Sequence, residues 1–206
     1  MKKWWVILVV VILGVWGWWS QRESPVERED EPLQEKIPET KVVVEKEIVA
    51  PIDEFKERIT KKKFGDYISP KNSPISPERF EGFHTGVDVE YGDSDQEIEV
   101  RSIAVGKVVG SRKAQGYGGV VIVEHQIGDQ ILFGIYGHLK PESMARVGEE
   151  VKAGQKIGVL GKDYSTETDN ERKHLHLGLS KTNNIRGYVN NKAELDNWVD
   201  PFGLID

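Results

Sequence analysis

The hydrophobic rhythm of the chain divides it into three parts. Lys2 and Lys3 precede an uncharged run from Trp4 to Trp19 that is apolar on every side. As a helix these 16 residues rise ~24 Å, a little short of the ~30 Å hydrocarbon core of a bilayer. Trp4, Trp5, Trp18 and Trp19 fall at the two ends, where aromatic belts sit. Residues 1–20 are therefore expected to form a transmembrane anchor. A cleaved signal peptide is the competing reading, but its small-x-small cleavage pattern is poorly met, with Val15-Trp16-Gly17 the nearest match. Lys2 and Lys3 hold the N-terminus in the cytoplasm by the positive-inside rule. The expected location is thus the cell membrane, single-pass, with the body extracytoplasmic, or secreted if the leader is cleaved. Residues 21–52 are charged, broken by prolines and free of aromatic residues. Such a composition buries too little apolar surface to fold alone and reads as a flexible linker. Its average span is ~30 Å, and fully extended it reaches ~110 Å.

From residue 53 the pattern turns to short runs of branched residues separated by glycines: "TGVDVEY", "VRSIAVGKVVGS", "GGVVIVEH", "QILFGIYGHL", "KIGVLG" and "HLHLGLS". Strands at such short intervals predict an all-β domain over residues 53–206, an antiparallel β-sandwich or barrel. "HQIGDQI" reads as a hairpin with Gly128 and Asp129 at its tip. "EFKERITKKKF" fits either one short helix or an extended lead-in.

Composition narrows the chemistry. The chain has no cysteine, which excludes disulfides, thiolate metal sites and cysteine nucleophiles. Any metal must be held by histidines and carboxylates. The net charge of −6 gives no reason to expect a nucleic-acid partner, whose phosphates call for a basic surface.

Within the β-rich part, "KHLHLGL" turns His174 and His176 to one face of a strand and Leu175 and Leu177 to the other. "HTGVD" holds His84 and Asp88 four apart, and "YGHL" holds His138. Each fragment alone is weak. Together they supply two histidines and a carboxylate, enough for a catalytic zinc site of three protein ligands, with histidines to spare for proton transfer.

In this order, "HTGVD", "YGHL" and "HLH" resemble the lysostaphin-type, or LytM-type, zinc endopeptidases that cleave the peptides of peptidoglycan. "VGEEVKAGQKIGVLG" and the terminal "WVDPFGL" fit as well. The first of these also resembles lipoyl and biotinyl carrier domains, but no lysine-bearing hairpin accompanies it. The likeness spans roughly Phe64 to Phe202 and implies a duplicated hybrid motif-like β-sandwich. It implies a zinc metalloendopeptidase with one Zn2+ per chain, hydrolysing peptidoglycan stem peptides or crosslinks by zinc-activated water with histidine assistance. Carried over residue by residue, it makes His84, Asp88 and His176 the metal ligands. His138 and His174 become the catalytic histidines, with general base and electrostatic stabiliser left open between them. His125 remains over, with a structural role expected. Some relatives of this type have lost ligands and act as non-catalytic regulators or activators of other wall hydrolases; here all five positions are intact. Such a regulatory protein partner is the alternative reading.

Two loops are expected to shape the substrate groove: Gly65 to Phe83, before the first ligand, and Lys162 to Lys173, before the HxH strand. The candidate groove residues in them are Tyr67, Arg79, Tyr164 and Arg172. The second loop is longer and more charged than the short, small-residue approach usual in the family.

Overall fold

Strand by strand, alternation of branched side chains builds an antiparallel sheet. A computed structural model describes residues 47–205, so the expected anchor and most of the expected linker lie outside the described residues. Among the described residues no helix is long and apolar enough to cross a membrane. The strands are β1 (Tyr67–Ile68), β2 (Gly82–His84), β3 (Gly86–Glu90), β4 (Glu99–Arg101), β5 (Gly106–Ala114) and β6 (Gly118–Ile127). They continue with β7 (Gln130–Leu139), β8 (Glu150–Val151), β9 (Lys156–Val159), β10 (His174–Ser180), β11 (Tyr188–Val189) and β12 (Trp198–Val199). One short helix, α1 (Pro201–Leu204), follows them.

The main sheet has seven strands, in the order β12-β10-β7-β6-β5-β8, with β3 also paired to β10. Every strand pairing is antiparallel, and only the β5–β6 and β6–β7 pairs of the main sheet are joined by tight turns. A three-stranded sheet runs β1-β2-β11, and β4 pairs with β9. The hairpin between β6 and β7 turns at Gly128 and Asp129, with Ile127 opposite Gln130. "EFKERITKKKF" forms no helix: it turns through Arg58, whose N–H donates to the Glu54 carbonyl at 3.1 Å, and then runs on as the irregular lead-in that was the other expectation.

The sheet buries both faces. On one, Val121, Val123, Tyr136, Leu175 and Leu177 join Val100 and Ile157 from the β4–β9 pair in the main core. On the other, Val120, Ile122 and Ile135 pack with Tyr117 and Trp198. The end of the expected linker lies on the first face. Ile52 is fully buried, Ile48 and Ala50 pack against the core, and Val49 N–H donates to the Ile103 carbonyl at 2.8 Å. These apolar residues are too few to form an element alone but add a cover to an existing sheet.

Two local features place the functional side chains. Gly86 lets β3 approach β10 closely: a Cβ there would lie 2.3 Å from the Leu177 carbonyl oxygen. At the end of β7 the pairing slips, Val120 facing Gly137 and Gly119 facing Leu139, so His138 is an extra residue in a β-bulge. Its φ of 62° lies in the left-handed region, uncommon for a side-chain-bearing residue. Without the bulge, His138 would take the side of Tyr136 and point into the main core. With it, Tyr136 and Leu139 both enter that core and His138 is turned out of it.

His125 sits inside the fold as a hydrogen-bonded core residue. Its Nδ1 lies 3.1 Å from the Val105 carbonyl oxygen and its Nε2 3.0 Å from the Tyr136 hydroxyl. Burial pushes its pKa down to about 4, with backbone hydrogen bonds only partly opposing. In the unfolded chain the ordinary value is ~6.5. Between these values the unfolded state binds the extra proton, so stability is complete above ~6.5 and is lost as pH falls towards 4. We expect His125→Gln to remove this loss. In urea unfolding, the wild-type advantage over the variant should shrink by roughly 3 kcal/mol from pH 7 to pH 4. A difference independent of pH would show that His125 is not held neutral.

Candidate metal centre

The centre forms where β3, β10 and the end of β2 meet. The register sets Asp88 directly opposite His176, and His174 opposite Glu90. His84, the last residue of β2, completes the group. His84 Nε2 lies 3.1 Å from His176 Nδ1 and 3.3 Å from Asp88 Oδ1, and His176 Nδ1 lies 3.1 Å from the same oxygen. All three residues are buried.

Their proton arrangement fits a cation. His84 Nδ1 donates to the Lys63 carbonyl at 3.2 Å, which leaves Nε2 with its lone pair facing the cluster. Two imidazole nitrogens and a carboxylate oxygen thus crowd one point with at most one proton, that of His176, between them. His176 Nε2 has no hydrogen-bond partner among the described residues. A divalent ion relieves this crowding. The triangle of 3.1, 3.1 and 3.3 Å matches the edge of about 3.3 Å in a tetrahedron with ~2.0–2.1 Å bonds, and the N,N,O donor set suits zinc. The residues present fit such an ion.

Asp88 is held in place from behind. Arg172 Nη2 donates to Asp88 Oδ2 at 2.7 Å, and the same guanidinium grips Glu90 through Nε (2.9 and 3.0 Å) and Nη2 (2.7 Å). One carboxylate oxygen is therefore committed to arginine and the other to the cluster, an outer support of the kind that orients metal ligands. Burial alone would raise the Asp88 pKa, but the imidazoles of His84 and His174, Arg172 and the His176 hydrogen bond bring it well below the ordinary carboxylate range.

The other two histidines stand beside this group. His174 Nδ1 donates to the Arg172 carbonyl at 2.9 Å, and its Nε2 is 3.4 Å from Asp88 Oδ2. His138 Nδ1 donates to the Thr168 carbonyl at 3.2 Å, and its ring lies 4.1 Å from that of His174, centre to centre. Both rings keep a free Nε2 lone pair. Burial lowers both pKa values, His138 to about 3 and His174 well below its ordinary value. At neutral pH both are uncharged proton acceptors.

His138, His174, His176, Asp88 and Arg172 line a pocket of about 250 Å³, together with Phe80, Tyr117, Tyr188 and Arg186. The four groove candidates part ways. Arg172 reaches the pocket, but as a buried clamp on Asp88 and Glu90. Tyr164 is 68% exposed and lines a neighbouring cleft that shares Arg172. Arg79 binds Glu171 at 2.8 Å and the Asp169 carbonyl at 2.7 Å, bracing the second loop. Tyr67 packs edge-on against Phe83 and donates to Glu81 at 2.8 Å; neither Arg79 nor Tyr67 lines the pocket.

Three pocket residues had no sequence signal of their own. Tyr117 lies in a glycine-rich turn. Lys62 belongs to a lysine run that reads as solvated, yet it is buried, paired with Glu78 at 2.6 Å and donating to the Tyr188 hydroxyl at 3.0 Å. Tyr188 lies between the rings of Phe80 and His84.

The family profile described as Peptidase family M23 matches residues 82–190, which include all five of the residues named for the centre. The murein hydrolase activator EnvC of Escherichia coli (strain K12) is 43% identical over 63 residues, 31% of this chain and 14% of that protein. Among solved structures, a chain of the SpoIIQ–SpoIIIAH pore-forming complex matches with a TM-score of 0.52 at 22% identity, over 77% of this chain and 90% of that chain. Helicobacter pylori Csd3 matches at 25% identity with a TM-score of 0.49, over 77% of this chain and 34% of that chain. The chain therefore spans a small part of EnvC and about a third of Csd3, and the likeness to the SpoIIQ–SpoIIIAH chain is one of fold.

Proposed function

We propose, from the premise that the chain belongs to peptidase family M23 as a LytM-type member, that it is a zinc metalloendopeptidase acting on peptidoglycan peptides. The observation that carries this reading is the clustering of three candidate ligand atoms, from His84, Asp88 and His176, at the wall of a pocket that His138 and His174 also line. His84, Asp88 and His176 would hold the metal. Zinc bound there supplies a Lewis acid for the scissile carbonyl and lowers the pKa of a bound water towards ~7.

The chain's own residues supply the rest. Arg172 and Lys63 fix the orientation of Asp88 and His84. His174 and His138, each with Nδ1 tied to a carbonyl, offer Nε2 to take a proton from the attacking water and return it to the leaving amine. Their burial excludes bulk water, so a charge forming in the pocket is poorly screened and strongly felt. We further propose that residues 1–20 anchor the chain in the membrane and that the part of the expected linker ahead of Ile48, where the chain joins the core, lets the domain reach the wall outside it.

A digest tests the hydrolase. The zinc-loaded chain, incubated with purified crosslinked peptidoglycan, is expected to release fragments with new peptide ends by mass spectrometry. Chelation should stop the release and added zinc restore it. The likeness to EnvC, a murein hydrolase activator, favours one second reading, a regulator of another wall hydrolase. Inertness on walls of differing crosslink chemistry, with stimulation of a partner hydrolase, would establish that reading instead.

A further inference from the structure

Three cations line the pocket, and the fold spends two of them. Lys62 pairs with Glu78 at 2.6 Å, and Arg172 pairs with Asp88 and Glu90 at 2.7 Å each. Arg186 is the third. Its side chain is 60% exposed, and its one side-chain partner among the described residues is Glu194, with Nη1 3.5 Å from Oε2. That pair is loose, and Glu194 is held elsewhere, its Oε1 accepting from Asn191 Nδ2 at 2.6 Å. Most of the five N–H donors of the guanidinium are thus unspent. The root of the arm, by contrast, is fixed. Thr85 Oγ1 donates to the Arg186 carbonyl at 2.6 Å, and Thr85 N–H to the Gly187 carbonyl at 3.1 Å. Thr85 is fully buried and stands between His84, which ends β2, and Gly86, which begins β3. Two residues after Arg186, Tyr188 is paired with His84 in the β2–β11 ladder. An uncommitted positive charge is therefore carried on the pocket rim by backbone tied to the strand of a candidate metal ligand.

We propose that Arg186 is a specificity-determining residue that binds a free carboxylate of the wall peptide as the peptide lies in the pocket. The substrate class is then an acidic peptide, one whose carboxyl group near the scissile bond is neither amidated nor engaged in a crosslink. This rests on the hydrolase reading above. A planar guanidinium fork matches a carboxylate through two parallel N–H···O bonds. A single uncommitted cation balances one carboxylate, the anion a peptide itself carries. Glu194 competes with the substrate for the same guanidinium, and binding exchanges its 3.5 Å contact for a bidentate pair.

Synthetic crosslinked wall peptides made in pairs, with one carboxylate at a time either free or converted to its amide, test this on the full zinc-loaded chain. For one such pair the wild type should cleave the acid about tenfold better than the amide by kcat/KM, with the difference in KM. Arg186→Gln should bring that ratio to within about twofold of one. Arg186→Lys should keep part of it, since an ammonium supplies the charge without the fork. Glu194→Gln removes the competing carboxylate and should lower KM for the acid, a change of opposite sign that lost packing would not produce. A wild type blind to every acid–amide pair, or an acid preference that survives Arg186→Gln, would overturn the proposal. A wild type inert on all the peptides would defeat the hydrolase reading by itself. Calorimetric binding of the same pairs then decides Arg186 alone: an acid preference that Arg186→Gln abolishes upholds its role, and equal or absent binding of acid and amide overturns it.

Discussion

Replacing His84 with alanine is expected to strip the chain of zinc and end wall cleavage. His84 offers one of the three candidate ligand atoms, and its Nε2 is presented to the others by the hydrogen bond from Nδ1 to Lys63. Loss of a residue that merely supports a ligand lowers metal affinity by about 10- to 100-fold. Loss of a ligand itself should exceed this, so competition with a chelator should show affinity down by more than ~100-fold. Cleavage should fall below detection in the digest. The metal-free variant should still melt cooperatively, because the main core is built on the other face of β10, through Leu175, Leu177 and Leu179. A variant that kept full zinc content and full cleavage would remove His84 from the centre.

Alanine at His174 or His138 should give a different signature: retained zinc with a large loss of turnover. Neither Nε2 belongs to the triangle of ligand atoms, so metal content should stay at one ion per chain. Removing a group that moves the proton should lower kcat by about 10²- to 10⁴-fold. Comparing the two variants assigns their roles, with the larger fall marking the proton carrier. His174 is the nearer to Asp88, at 3.4 Å, and His138 the more dependent on local backbone. If either variant lost zinc in proportion to activity, that histidine would be a ligand.

The sequence foretold most of the sheet because alternation is a local property. The period of two in "KHLHLGL" is enough to place two imidazoles on one face, and the structure adds that Asp88 stands opposite the second of them. The hairpin at Gly128 and Asp129 was legible for the same reason. What could not be read depends on contacts distant along the chain. Arg172 reads from its loop as a groove residue, and its clamp role emerges only because Asp88 and Glu90, two apart on β3, both reach it. Lys62 is buried only because Glu78 and Tyr188 fold over it. Ile48 and Ile52 lack the company to form an element in sequence and find it on the core. The aim of His138 escaped a period-two reading for a sharper reason: alternation assigns it to the interior, and the slip in pairing with β6 reverses the assignment.

That slip also bears on how such a chain could change over generations. Remove His138 alone, and Gly137 and Leu139 become neighbours facing Val120 and Gly119, the partners they already have. The ladder is then regular and Leu139 keeps its place in the core. On the reading proposed above, a single lost codon would thus remove one of the two candidate proton carriers while leaving the ladder of the sheet regular.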